Sequence, residues 1–188
     1  PVSRLDRDTT GVIIFALNQY AQESLVRQMK SKTFIKEYIG IVKGIMENDK
    51  GVINLPIERK PDSIMLRHIS ETGSPSVTHY EVLKRFENAT LLKFTLETGR
   101  THQIRVHCQA VGHPLIGDTL YPYLQEFSPG PGGPGDFSRL DELIKRHALH
   151  SRKVIFNHPV SGEKCTITAP IPEDFKNALI FLKNVKNF

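Results

Sequence analysis

The stretch ATLLKFTLE, residues 89–97, constrains the fold most. Side chains alternate along an extended strand, so Leu92, Phe94 and Leu96 share one face, and Lys93, Thr95 and Glu97 share the other. A strand with one apolar face needs a covered side and a paired neighbour. The run 76–86 supplies the neighbour, with Glu87 and Asn88 as a short hairpin connection. A second hairpin is predicted from 153–157 and 164–169, across HPVSG. With hairpins dominating, the sheet is expected to be mostly antiparallel.

Other periods surround these hairpins. The continuous apolar run 11–17 is expected to be a buried strand. Asn18 can cap the helix that follows, with Ala21, Leu25 and Met29 as its apolar stripe and Arg27 and Lys30 toward water. Residues 33–42 read as a strand. Shorter strand-like pieces at 52–55 and 64–69 lie among Gly, Pro and Asp breakers. Thr101 is expected to cap a short helix that Gly112 and Pro114 stop, and Ser138 to cap another, with Asp141 at its third helical position. The closing helix begins near Pro172, with Phe175, Leu179 and Leu182 as its core face. SPGPGGPGD, 128–136, reads as a surface loop that cannot pack, and its Pro/Gly part 129–135 as inert. The sum is an α/β (α+β) fold, a large mixed, mainly antiparallel sheet with flanking helices and loops.

At 188 residues the chain suits one well-buried domain, 1–188, rather than two small cores. Its 39% apolar and 24% charged residues are those of a soluble globular protein. The longest apolar stretch is far too short to span a bilayer, so no membrane association is expected. No signal peptide is read in the chain, so a cytoplasmic setting is expected. Cys108 and Cys165 lie far apart and require no disulfide. The chain opens at Pro1 rather than Met, so an upstream piece is expected. A net charge of +5 permits a polyanionic partner such as nucleic acid without demanding one.

Two clusters could carry chemistry. In RLDRD, 4–8, Asp6 sits between Arg4 and Arg7, just ahead of the apolar run. Asp8 reads as a loop or capping acid. In LETGRTHQIRVHCQAVGHPLIGD, 96–118, Ile104, Cys108 and Val111 share the buried face of a helix, and His102, Arg105 and Gln109 share a neighbouring one. A cation is disfavoured in the first turn of a helix, so Arg105 needs a carboxylate or phosphate partner. It either pairs with a local acid and holds the loop, or belongs to a site. His102, His107, Cys108 and His113 fit no common zinc spacing, and no metal is expected. The single Gly in 98–101 makes no P-loop. Tyr38, on a strand, would by itself read as core.

SRLDRDTTG (3–11), KEYIGIVKG (36–44) and the block 96–118 resemble the three signature blocks of the RluA-type RNA pseudouridine synthases. Residues 146–175 resemble the family's closing hairpin and helix. The likeness implies isomerisation of uridine to pseudouridine in structured RNA, ribosomal or transfer, without metal or organic cofactor. It implies that Asp6 is the catalytic aspartate, that Tyr38 packs against the flipped uracil, and that Arg105 pairs with Asp6, with Arg100 the other candidate. It implies that Arg4 helps extrude the target base and fills its place. His102, Gln103 and Ile104, with Arg4 and Arg100, are the expected substrate-binding residues. Ser3 stands where the family usually has His. Members normally carry further strands ahead of the RLD block, often after a small RNA-binding domain, so this chain is expected to lack both. A monomer is expected. A non-catalytic RNA-binding protein of the same fold is the alternative. A nuclease built on His102 and His107 is disfavoured, since two residues five apart diverge on a helix.

Overall fold

The structure, a computed structural model, describes residues 1–124 and 137–184. The stretch 128–136 lies outside the described residues. The central strands are β2 (Ile35–Lys43), β6 (Val77–Arg85), β7 (Ala89–Leu96) and β8 (Leu149–Asn157). The hairpin read from 76–97 is present, with Tyr80 opposite Phe94 and Val82 opposite Leu92. The second hairpin pairs β8 with β9 (Lys164–Thr168). With β1 (Thr10–Gly11) and β3 (Lys50–Asn54) they form one sheet in the order β1-β8-β2-β7-β6-β3, with β9 also on β8. The β1–β8 pairing is parallel and the others in this sheet are antiparallel. A separate ribbon joins β4 (Ile57–Arg59) to β5 (Arg67–Ile69).

Strand β2 divides the core by alternation. Ile39 and Ile41 enter one cluster with Ile144, Ala148 and Phe175, next to the helices α3 (Ser138–Leu143) and α4 (Glu173–Asn184). Tyr38 and Val42 enter the other, with Phe94, Ile104, Cys108 and Leu149, against α2 (Gln103–Ala110). Helix α1 (Gln19–Lys30) is capped as expected, Ala21 N–H donating to the Asn18 side chain at 2.8 Å. Its Leu25 packs with Phe34, Val154 and Phe156.

Three expectations are corrected. The run 11–17 is not a buried strand: regular pairing stops at Gly11, and Ile13, Phe15 and Leu17 are 38%, 60% and 95% exposed. Val12 and Ile14 do pack inward, so the run is covered on one side. Helix α2 takes its cap at His102, in the left-handed region at φ 57°, rather than at Thr101. It is also buried nearly all round, Gln103 to Cys108, and not along one stripe. Finally, Phe137 rather than Ser138 holds the cap position of α3, and Asp141 instead accepts from Gly117 N–H at 3.0 Å.

Candidate active site

The loop bearing Asp6 is pinned at its far end to the start of β8. Thr9 N–H donates to the Asp6 carbonyl at 3.0 Å, closing a tight turn. The Thr9 and Thr10 hydroxyls then share hydrogen bonds with His147 Nε2 at 2.7 Å and His150 Nδ1 at 2.8 Å. Gly11 follows at φ 117°, where a Cβ would stand 2.1 Å from the Ser151 carbonyl oxygen. Only glycine lets the chain lie this close to β8. Leu5 packs beside Tyr38 in the core, and Asp6 between these anchors keeps its carboxylate 22% exposed toward a cleft.

The opposite wall is α2. Gln103 clamps its start to the sheet: the side-chain oxygen accepts from Arg100 N–H and Thr98 Oγ1, and the amide donates to the Val77 carbonyl and Thr78 Oγ1. Arg105, in the same first turn, donates through Nε and Nη2 to both oxygens of Asp118, each at 2.7 Å. Its remaining Nη1 lies 3.7 Å from Asp6 Oδ2, within ion-pair reach. Arg105 thus pairs with a local acid, Asp118, and also faces Asp6. Burial works against the Arg105 charge, but the hydrogen bonds and charge of Asp118, with Asp6, outweigh it and raise its pKa. Asp6 thus faces a cation whose orientation Asp118 already fixes.

Asp118 has no side-chain exposure and also accepts from the Leu120 and Tyr121 N–H groups. The Arg105 guanidinium sits 5.0 Å over the Tyr121 ring, a cation–π contact. The Tyr121 hydroxyl accepts from Arg67 N–H at 2.9 Å and bonds His102 Nδ1 at 2.7 Å. Burial lowers the His102 pKa; Asp6 opposes this and Arg105 assists it. His147, 4% exposed, is pushed down to about 4 by burial and by the nearby Arg105, and so stays neutral.

These walls enclose a cleft of about 940 Å³, a size suited to a nucleotide-scale ligand. Asp6, Tyr38, Arg4, Arg100, His102, Gln103 and Ile104 all line it. Their situations differ. Tyr38 is 5% exposed, and burial, with the Asp6 charge adding, pushes its phenol up to about 12. Arg4 is exposed, and Arg100 donates to the Pro75 carbonyl at 3.4 Å, so Arg105 and not Arg100 reaches Asp6. Ile104 is core, and the Gln103 amide is fully engaged within the chain. His107 faces away: its nitrogens bond Thr78 Oγ1 and the Leu55 carbonyl, so it shares no site with His102. Among the described residues no three His, Cys, Asp or Glu side chains gather as metal ligands. The sequence reading missed Asp118, Tyr121 and His147. One signal was available for Asp118: a buried arginine demands an acid, and this one closes the same block.

The sheet with its cleft against α2 is the fold of pseudouridylate synthase domains. It superposes with a TM-score of 0.71 on human RNA pseudouridylate synthase domain containing 1, at 26% identity, over 91% of this chain and 68% of that one. The chain belongs to the RNA pseudouridylate synthase family, whose sequence pattern matches residues 1–110. A Synechocystis protein named as an uncharacterized RNA pseudouridine synthase is 40% identical over 185 residues, which is 97% of this chain and 53% of that protein. Ribosomal large subunit pseudouridine synthase D of Haemophilus ducreyi is 38% identical over 182 residues, 97% of this chain and 55% of that protein. The chain thus spans about half the length of the curated relatives it matches.

Proposed function

We propose that the protein isomerises a uridine in structured RNA to pseudouridine, with Asp6 as the catalytic carboxylate. One observation carries this reading: the Asp6 carboxylate faces a nucleotide-sized cleft 3.7 Å from an arginine that Asp118 holds in place. The reaction breaks the bond from ribose C1′ to uracil N1, turns the base, and joins C1′ to C5. The C5 hydrogen leaves as a proton and N1 gains one, so atoms balance without a redox partner. An ionised carboxylate can attack or stabilise the reacting sugar or base and later move a proton. Tyr38, a neutral phenol at ordinary pH, supplies a ring for the uracil to pack against. The base must first leave its stack, which costs roughly a few kcal/mol, least where it is unpaired. Arg4, exposed at the cleft edge, would fill the gap.

The name of the Haemophilus ducreyi relative favours ribosomal over transfer RNA. The proposal takes the protein as a cytoplasmic monomer with 1–188 as one catalytic domain; no helix among the described residues is long and apolar enough to cross a membrane. The test uses RNA labelled with tritium at uridine C5. Isomerisation releases tritium to water and leaves pseudouridine in the strand. RNA binding with neither product would establish the non-catalytic alternative.

A further inference from the structure

Lys36 lies on β2 two residues before Tyr38, so both side chains leave the same face of the sheet and line the cleft. It is half-buried beneath the turn into α2, its Nζ 3.6 Å from where a Cβ on Gly99 would stand. Among the described residues its ammonium group makes no hydrogen bond or ion pair. The nearby acids are engaged elsewhere. Glu37 points to the opposite face and pairs with Lys153 at 2.9 Å, and Glu97 is held by Lys32 and His79. Burial therefore lowers the Lys36 pKa with no carboxylate to oppose it.

The other cations lining the cleft are placed differently. Arg4, Arg7 and Lys30 are exposed, Lys32 pairs with Glu97, and Arg100 bonds a carbonyl. A desolvated cation without a partner is unfavourable, and an anionic ligand removes that penalty. Successive same-face residues on a strand lie roughly 6.8 Å apart. That is the scale of the step from a base on Tyr38 to the phosphate beyond its sugar.

We propose that Lys36 binds one of the two phosphates flanking the target uridine and so fixes the ribose over Asp6. The proposal rests on the reading of the cleft as an RNA site. It separates Lys36 from the exposed cations, which would hold RNA at no fixed register.

The test pairs Lys36→Met and Lys36→Arg with RNA carrying a single uncharged methylphosphonate 5′ or 3′ of the target. Each RNA is compared with a phosphate control of the same sugar. Single-turnover rates and binding constants are read at several salt concentrations. Lys36→Met should lose about tenfold to a hundredfold in kcat/KM, the usual range for a hydrogen bond to a charged group. Its salt slope should fall by about one phosphate's worth. It should melt no lower than the parent, because methionine removes a buried charge, and Lys36→Arg should recover most of the loss. One of the two methylphosphonates should weaken the parent by a similar factor and have no further effect on Lys36→Met. If both methylphosphonates weaken Lys36→Met as much as the parent, or if Lys36→Met matches the parent, the proposal is overturned. A parent that binds RNA without isomerising it refutes the catalytic reading alone, since the binding constants still test Lys36.

Discussion

Two clusters of cation and carboxylate border the same cleft, one reaching it through Asp6 and the other through Lys32, His79 and Glu97, and they are built in opposite ways. At the floor, Asp118 and Asp6 flank Arg105, whose side chain is 5% exposed. At the rim, Glu97 holds Lys32 and His79, and these side chains are 33%, 66% and 41% exposed. Burial makes the floor rigid. Arg105 has bidentate hydrogen bonds to one acid, and its remaining nitrogen aims at the other. The rim charges exchange freely with water and salt. The lesson is that charge at the floor sets geometry, whereas charge at the rim can yield to an incoming strand.

The largest break in this comparison is Asp118→Ala. It leaves a buried guanidinium with only the more distant Asp6, and should cost roughly 3–5 kcal/mol in urea unfolding. Isomerisation should fall with it, because Arg105 is freed to turn from Asp6. Asp118→Asn keeps the shape and loses the charge, so it should fall between the parent and the alanine variant. A stability near that of the parent for Asp118→Ala would show that the floor is no more demanding than the rim.

Titration sharpens the contrast. The His147 pKa of about 4 in the folded chain lies below the unfolded value near 6.5. Between these values the unfolded state binds more protons, so stability is full above about pH 6.5 and is lost as pH falls toward 4. The loss attributable to His147 is about 3 kcal/mol at most. His102, His107 and His150, also lowered by burial, act in the same direction. His147→Asn should flatten part of this acid arm in denaturant melts from pH 7 to pH 4. An unchanged arm would remove His147 from the account.

The smallest effect is expected at the rim. Glu97→Gln should leave the melting temperature unchanged at physiological salt and modestly tighten RNA binding by freeing Lys32 and His79. A destabilisation comparable with that of Asp118→Ala would erase the distinction between the clusters.

Much of the sheet was legible because alternation in 89–97 dictates a paired, half-buried strand, and β6–β7 forms in that register. The run 11–17 misled because a continuous apolar segment does not say how many of its faces are covered. In helix α2, burial on nearly every side erased the amphipathic stripe. Asp6, Tyr38 and Arg105 were named from short blocks, and the fold brings Asp6 and Tyr38 to one cleft, with Arg105 behind Asp6. Asp118 and His147 were not named, since their partners are chosen by tertiary closure: Asp118 lies thirteen residues past Arg105, and His147 meets Thr9 across the sheet.

The central claim is that the Asp6 carboxylate performs chemistry and is not merely a counterion for Arg105. Asp6→Asn in the full-length protein tests it most directly, because the amide keeps the size and leaves Asp118 to hold Arg105. Tritium release from C5-labelled RNA and RNA affinity are measured side by side. The account predicts that release stops while binding stays close to that of the parent. Substantial pseudouridine formation by Asp6→Asn would contradict it.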